Sequence, residues 1–165
     1  MTTLLAPPAL RFAIAPLPES FVQRVRTTLR DDFDRAVEIS TARGGEPMRD
    51  QLRRAEPGER LILCSYQAVA LSSLFAEIGP IYVSADAPAV AAFTDVLPPG
   101  YFNRAFALRA YDAADRIIES ALVEPAMAAE KIRALLALSA TTYLHARFAG
   151  HGCFAARIER ADAPH

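Results

Sequence analysis

The chain has 165 residues, 52% of them hydrophobic and 22% charged, enough to build one sizeable core. That composition excludes both a disordered tail and a disulfide-stapled miniprotein. With 18 Lys+Arg against 19 Asp+Glu the formal net charge is -1, so no global field exists to hold nucleic acid or anionic lipid. Lys131 is the only lysine, and the remaining basic side chains are arginines, whose planar forks suit carboxylates and phosphates; a general preference for arginine codons explains the bias equally well.

In chain order, Met1 to Pro8 has no basic segment ahead of an apolar one and does not read as a secretory signal. Residues 1–16 form a proline-rich entry. Phe21, Val22, Val25 and Leu29 then recur at helical spacing, with Arg24, Arg26 and Arg30 on the other side, which predicts an amphipathic helix over Pro18 to Asp31. Asp34 to Ser40 is a candidate short strand, Gly44 to Pro47 a loop, and Met48 to Ala55 a charged stretch, helical or irregular. Glu56-Pro57-Gly58-Glu59 forces a turn into Leu61 to Tyr66, an apolar run expected as a buried strand. The longest uncharged run, Leu61 to Ala76, is too short and too rich in Ser and Gln to span a bilayer.

Gly79-Pro80 introduces a half-buried strand, Ile81 to Ser84, with Tyr82 and Ser84 on its polar face. Phe102 to Tyr111 and Arg116 to Val123 read as a hairpin joined by Asp112 to Asp115. Pro125 starts a second helix reaching about Leu138, with Ile132, Leu135 and Leu136 in its apolar stripe. Thr141 to Phe148 and Cys153 to Arg160 flank Gly150-His151-Gly152 as a second hairpin, and residues 161–165 form a tail. With no internal repeat and no linker, the expected architecture is one α+β domain with a mostly antiparallel sheet and two main helices; a curled, barrel-like sheet is the alternative.

Strand alternation sends Tyr143, His145 and Arg147 to one face, and Arg109 and Tyr111 form a similar polar row. If these rows share a face with Tyr82, then Tyr82, Arg109, Tyr111, His145 and Arg147 line a pocket for a small anion; otherwise they face water on a one-sided sheet. Cys64 reads as a small buried hydrophobe, and Cys153, beside a glycine-flanked turn, as a weak nucleophile candidate with His145 as its general acid or base. The H-x5-H-x-C spacing of His145, His151 and Cys153 lacks an evident fourth ligand, so no metal is expected. No phosphate loop, dinucleotide fingerprint, nucleophile elbow or zincin motif occurs, and no cofactor is implied. Two cysteines without C-x-x-C spacing suit a reduced cytoplasm.

Leu52 to Leu61, Ala76 to Val83, Arg109-Ala110-Tyr111-Asp112, and Tyr143 to Arg147 with Gly152-Cys153-Phe154 together resemble a bacterial family known only as a domain of unknown function, DUF1203. The A-E-P-G-E and E-x-G-P-I elements are its more specific parts. The resemblance implies no activity. Family members carry a C-x-x-C before A-E-P-G-E and a further His and Cys after the G-P-I strand, where this chain has Met48, Gln51, Ser84 and Ala87. Three functions stay open: a module binding a small anionic metabolite, an enzyme using His145 and Cys153, and a homo-oligomeric interaction domain without chemistry. The first is favoured because no catalytic constellation is legible.

Overall fold

The computed structural model describes residues 10–161, so the readings of Met1 to Pro8 and of the tail beyond Ala161 lie outside the described residues. Its elements run β1 (Phe12–Ala15), α1 (Glu19–Thr28), β2 (Glu38–Thr41), β3 (Pro47–Met48), β4 (Arg53–Arg54), β5 (Arg60–Val69), β6 (Glu77–Ser84), β7 (Phe93–Thr94), β8 (Phe106–Tyr111), β9 (Ile117–Val123), α2 (Ala128–Ala137), β10 (Tyr143–Phe148) and β11 (Phe154–Arg160). The strands make two sheets, ordered β7-β1-β11-β10-β8-β9 and β2-β5-β6-β3-β4. All pairings are antiparallel except that of β3 with β6, and among the described residues neither sheet closes into a barrel. The fold is α+β, and no helix is long and apolar enough to cross a membrane.

Both predicted hairpins form. β8 and β9 pair across the Asp112 to Asp115 link, where Asp112 Oδ1 accepts from the amides of Ala114 and Arg116. β10 and β11 pair with a register shift at Ala146/Arg147. The second helix begins as predicted, with a 3-10 turn at Pro125–Met127 leading into α2. α1 ends earlier than its apolar spacing suggests, because Leu29 takes a left-handed conformation (φ 53°) and its amide closes back on Val25 O.

Three segments differ from expectation. Phe12–Ala15, inside the proline-rich entry, is a strand paired with both β11 and β7, and Phe12 and Ile14 are wholly buried. Gly79-Pro80 does not introduce a strand but lies within β6. Proline is tolerated there because β3 bonds to β6 only at Tyr82, which leaves one side of β6 unpaired at Pro80. Met48 to Ala55 is a tight β3–β4 pair around the turn 49–52.

α2 covers one face of the six-stranded sheet, where Ile132, Leu135 and Leu136 pack with Phe106, Leu108, Ala110, Leu144, Ala146 and Ile158. The other face meets the β5–β6 hairpin. Phe21, Val22 and Val25 of α1 pack with Ile62, Cys64, Ile81, Val83 and Phe154 to form the core on that side. Further along, Val69 of β5 packs on Tyr111 and Tyr143, and Ser73 in the hairpin turn donates to Asp115 O.

Candidate functional site

The polar rows predicted on β8 and β10 share one sheet face. Tyr143 pairs with Tyr111, His145 with Arg109, and Arg147 with Ala107 in the antiparallel register. That face is not a solvated surface, because the β5–β6 hairpin lies over it. Tyr111, Tyr143, His145 and Arg147 are all buried. The tyrosine rings stack with centroids 4.9 Å apart, and His145 sits among Tyr111, Tyr143 and Phe154. The first residue of β6, Glu77, reaches over this face and pairs with both Arg147 and Arg109, the latter at 3.6 Å. Its carboxylate occupies the place between the two arginines that an anion would take.

Burial, followed by the charges of Arg157, Arg147 and Arg109, pushes His145 down to about 3, so the imidazole is neutral at any ordinary pH. Its Nδ1 has no hydrogen-bond partner. Neither His145 nor His151 hydrogen-bonds the thiol of Cys153, and Cys153 opens on a different space. Cys64, packed behind α1, has its thiol pushed up to about 12 by burial.

That other space is a cleft of about 530 Å³ in the seam between the two sheets, within the range of small-molecule sites. β3, β4 and the turn joining them contribute Pro47, Arg49 and Arg54. Leu63 of β5 with Pro80 and Tyr82 of β6 forms a second wall, and Arg104, Phe148, His151 and Cys153 close it from the six-stranded sheet. Of the five predicted ligand residues only Tyr82 lines this cleft; Arg109, Tyr111, His145 and Arg147 lie beneath the hairpin. No carboxylate contributes to the lining.

Three of the lining residues are arginines without a salt-bridge partner among the described residues: Arg49, Arg54 and Arg104. Arg49 is only 4% exposed. Its Nε donates to Phe154 O at 2.9 Å and its Nη1 to Pro47 O at 2.6 Å, which leaves Nη2 without a protein acceptor. Arg54 donates to Gly45 O at 2.7 Å and to Asn103 Oδ1 at 3.3 Å, while its buried Nε has no partner. Both guanidiniums lie over the Phe148 ring, 5.2 and 5.3 Å from its centroid. Burial lowers both from the ordinary arginine value, and each also feels another guanidinium, Arg54 for Arg49 and Arg104 for Arg54. An arginine stays protonated regardless, so the cleft concentrates positive charge that the protein itself leaves uncompensated.

The sequence model of a family described as a protein of unknown function, DUF1203, matches residues 45–160. The chain belongs to the DUF1203 family. The matched stretch runs from the start of β3 to the last residue of β11 and contains every residue lining the arginine cleft; β1, α1 and β2 lie before it. No curated protein and no solved structure matches the chain.

Of the four positions that the sequence singles out, Met48, Gln51, Ser84 and Ala87, the last three meet at the far end of β6. Gln51 and Ala87 line a small cleft of about 130 Å³, and the Ser84 hydroxyl accepts from Ala87 N at 2.9 Å. Met48 is buried against Leu61 and Tyr82. Gln51 and the Ser84 amide both donate to Asp50, whose carboxylate faces Arg26 at 3.1 Å. Among the described residues no three His, Cys, Asp or Glu side chains converge as a metal site.

Sequence reasoning missed Arg49, Arg54 and Arg104. Arg49 and Arg54 sit in a charged stretch whose strands are two residues long, too short for alternation to show which side chains turn inward. The available signal was compositional: Arg49, Arg53 and Arg54 cluster between two turn signals.

Proposed function

We propose that this DUF1203 chain is a binding module for a small anionic metabolite, held in the seam cleft by Arg49, Arg54 and Arg104 with Tyr82 as a hydrogen-bonding neighbour. The observation that carries this reading is the set of three guanidiniums that share one cleft with no carboxylate in its lining or paired to them. A buried guanidinium lacking a counterion is costly, and an oxyanion that accepts from Nη2 of Arg49 removes that cost while relieving repulsion among the three cations. Arginine forks recognise carboxylates and phosphates in bidentate fashion, so the ligand class is an organic acid or a phosphorylated small molecule.

The residues under the hairpin support the site from below. Arg147 donates to Gly152 O, and so fixes the loop that presents His151 and Cys153 to the cleft. Arg109, Tyr111 and His145 flank Arg147 on the buried face, where Glu77 balances the two arginines. The apolar faces of α1 and α2, which an oligomerising domain would offer to a second copy, are used within the chain. Two free thiols suit the reducing, cytoplasmic setting in which small organic acids are abundant.

The test is thermal unfolding in citrate, inorganic phosphate and the neutral control glycerol, on the parent and on Arg104→Gln. Arg104 is exposed and its side chain makes no hydrogen bond or ion pair among the described residues, so its loss leaves the fold intact. A ligand at a hundred times its Kd stabilises by about 2.7 kcal/mol, which is about 5–11 °C in Tm for a chain of this length. A citrate or phosphate shift of that order, reduced in Arg104→Gln, supports the reading. No shift with either anion, or equal shifts in parent and variant, overturns it.

A further inference from the structure

Cys153 is the one thiol that opens on the arginine cleft; Cys64 is buried on the far side of the second sheet. The chain presents it rigidly. Its carbonyl accepts from Phe148 N at 3.0 Å, and Gly152 N donates to Phe148 O at 2.8 Å. On one flank Gly152 O is held by Arg147, and on the other Phe154 O is held by Arg49. Gly152 takes a φ of 71°, a conformation that a glycine adopts without strain, and this turns the next residue toward the cleft. Arg49, nine-tenths buried and with no protein acceptor on Nη2, lines the same cleft as Cys153.

Resting on the anion-binding reading, we propose that the cleft directs a low-molecular-weight disulfide bearing carboxylates onto Cys153, which then forms a mixed disulfide with it. The Cys153 thiolate attacks one sulfur of the incoming disulfide. A new S–S bond forms, the original one breaks, and the other half leaves as a thiolate that takes up the proton Cys153 gave to solvent. The Cys153 sulfur is oxidised, the departing sulfur is reduced, and no other oxidant is needed.

The surroundings favour this chemistry over acyl transfer. Acyl transfer needs a general base bonded to the nucleophile, and neither His145 nor His151 hydrogen-bonds the Cys153 thiol. Thiol–disulfide exchange needs only a reachable thiolate and a way to bring the partner's sulfur to it. Arg49, Arg54 and Arg104 supply that second requirement for an anionic partner and repel a cationic one.

The experiment compares glutathione disulfide, which is anionic, with cystamine, which is cationic, on the reduced full-length protein near neutral pH, followed by intact mass and peptide mapping. The expected result is a dithiothreitol-reversible glutathionyl adduct at Cys153, absent in Cys153→Ser. It should form about tenfold faster, relative to cystamine, than on the urea-unfolded chain, with the preference shrinking in Arg104→Gln and at high salt. A folded-state preference no greater than the unfolded one overturns the proposal, as does an adduct mapped to Cys64. Citrate stabilisation of the unmodified protein, measured in parallel, separates the two ideas. Stabilisation without charge preference removes the exchange and keeps the binding module; charge preference without stabilisation supports the exchange and removes the free-anion reading.

Discussion

Among the described residues Glu77 is the only carboxylate paired with the two arginines under the β5–β6 hairpin, so Glu77→Gln tests how that buried face is held together. The Arg147 side chain is 7% exposed, and its Nε and Nη1 already lack partners. Removing the carboxylate paired with it leaves an uncompensated buried cation, a change that typically costs about 3–5 kcal/mol. Glu77 is itself 22% exposed, which argues for the lower end, about 3 kcal/mol, or about 6–12 °C in Tm for a chain of this size. Arg109 is 37% exposed and stays hydrated when its partner goes, so it adds little. The chain has no tryptophan, so urea unfolding is best followed by far-UV circular dichroism. The decisive comparison is the double variant Glu77→Gln with Arg147→Met, which removes cation and anion together and should recover much of the loss. If Glu77→Gln costs less than about 1 kcal/mol, or the double variant is less stable than the single, the ion pair is not what balances the buried face.

Two further outcomes follow from the same groups. His145, held down to about 3 in the folded chain, cannot take up the proton that an unfolded histidine binds near 6.5; the folded state therefore keeps its full stability above about pH 6.5 and loses it as the pH falls toward 3. His145→Phe should flatten the acid-side dependence of stability by up to about 1.4 kcal/mol per pH unit in urea titrations between pH 7 and 4.5, and parallel slopes in parent and variant would contradict the assignment. At pH 8 Cys64, pushed up to about 12, has about one thiolate in ten thousand, so Ellman's reagent should titrate a single thiol in the folded protein and two in urea. Rapid reaction of both thiols in the folded protein would contradict the burial of Cys64.

Local pattern carried the two C-terminal hairpins, both helices and the polar rows of β8 and β10 taken separately, because each depends on spacing within a short segment; that the two rows share a face comes from the β8–β10 pairing. The alternation of Tyr143, His145 and Arg147 was legible for that reason. What covers that face was not. It is set by the β5–β6 hairpin folding back across the sheet, a contact between residues such as Glu77 and Arg147 that no local period records. β1 was hidden by its prolines, although Phe12 and Ile14 alternate as a strand requires. The cleft arginines were hidden for a different reason: β3 and β4 are two residues long, β3 is tied to β4 and at one position to β6, and Arg49 itself bonds Pro47 O, so their direction is a tertiary outcome.

The arginine bias and the cleft meet in the 149–153 loop. Arg49 and Arg147 approach it from opposite sheets and spend donors on the carbonyls of Phe154 and Gly152, so each both braces backbone and carries charge. A lysine has three donors on one atom and no planar fork, and could not reach two separated carbonyls while still facing a ligand. What distinguishes the two arginines is their counterion. Arg147 has Glu77 and so is structural in charge as well as in bonding; Arg49 is as deeply buried and braces two carbonyls where Arg147 braces one, but has no acid paired with it among the described residues. The fold thus neutralises one member of a matched pair and leaves the other open to the cleft, and it is this asymmetry, more than the number of arginines, that points to an anion supplied from outside.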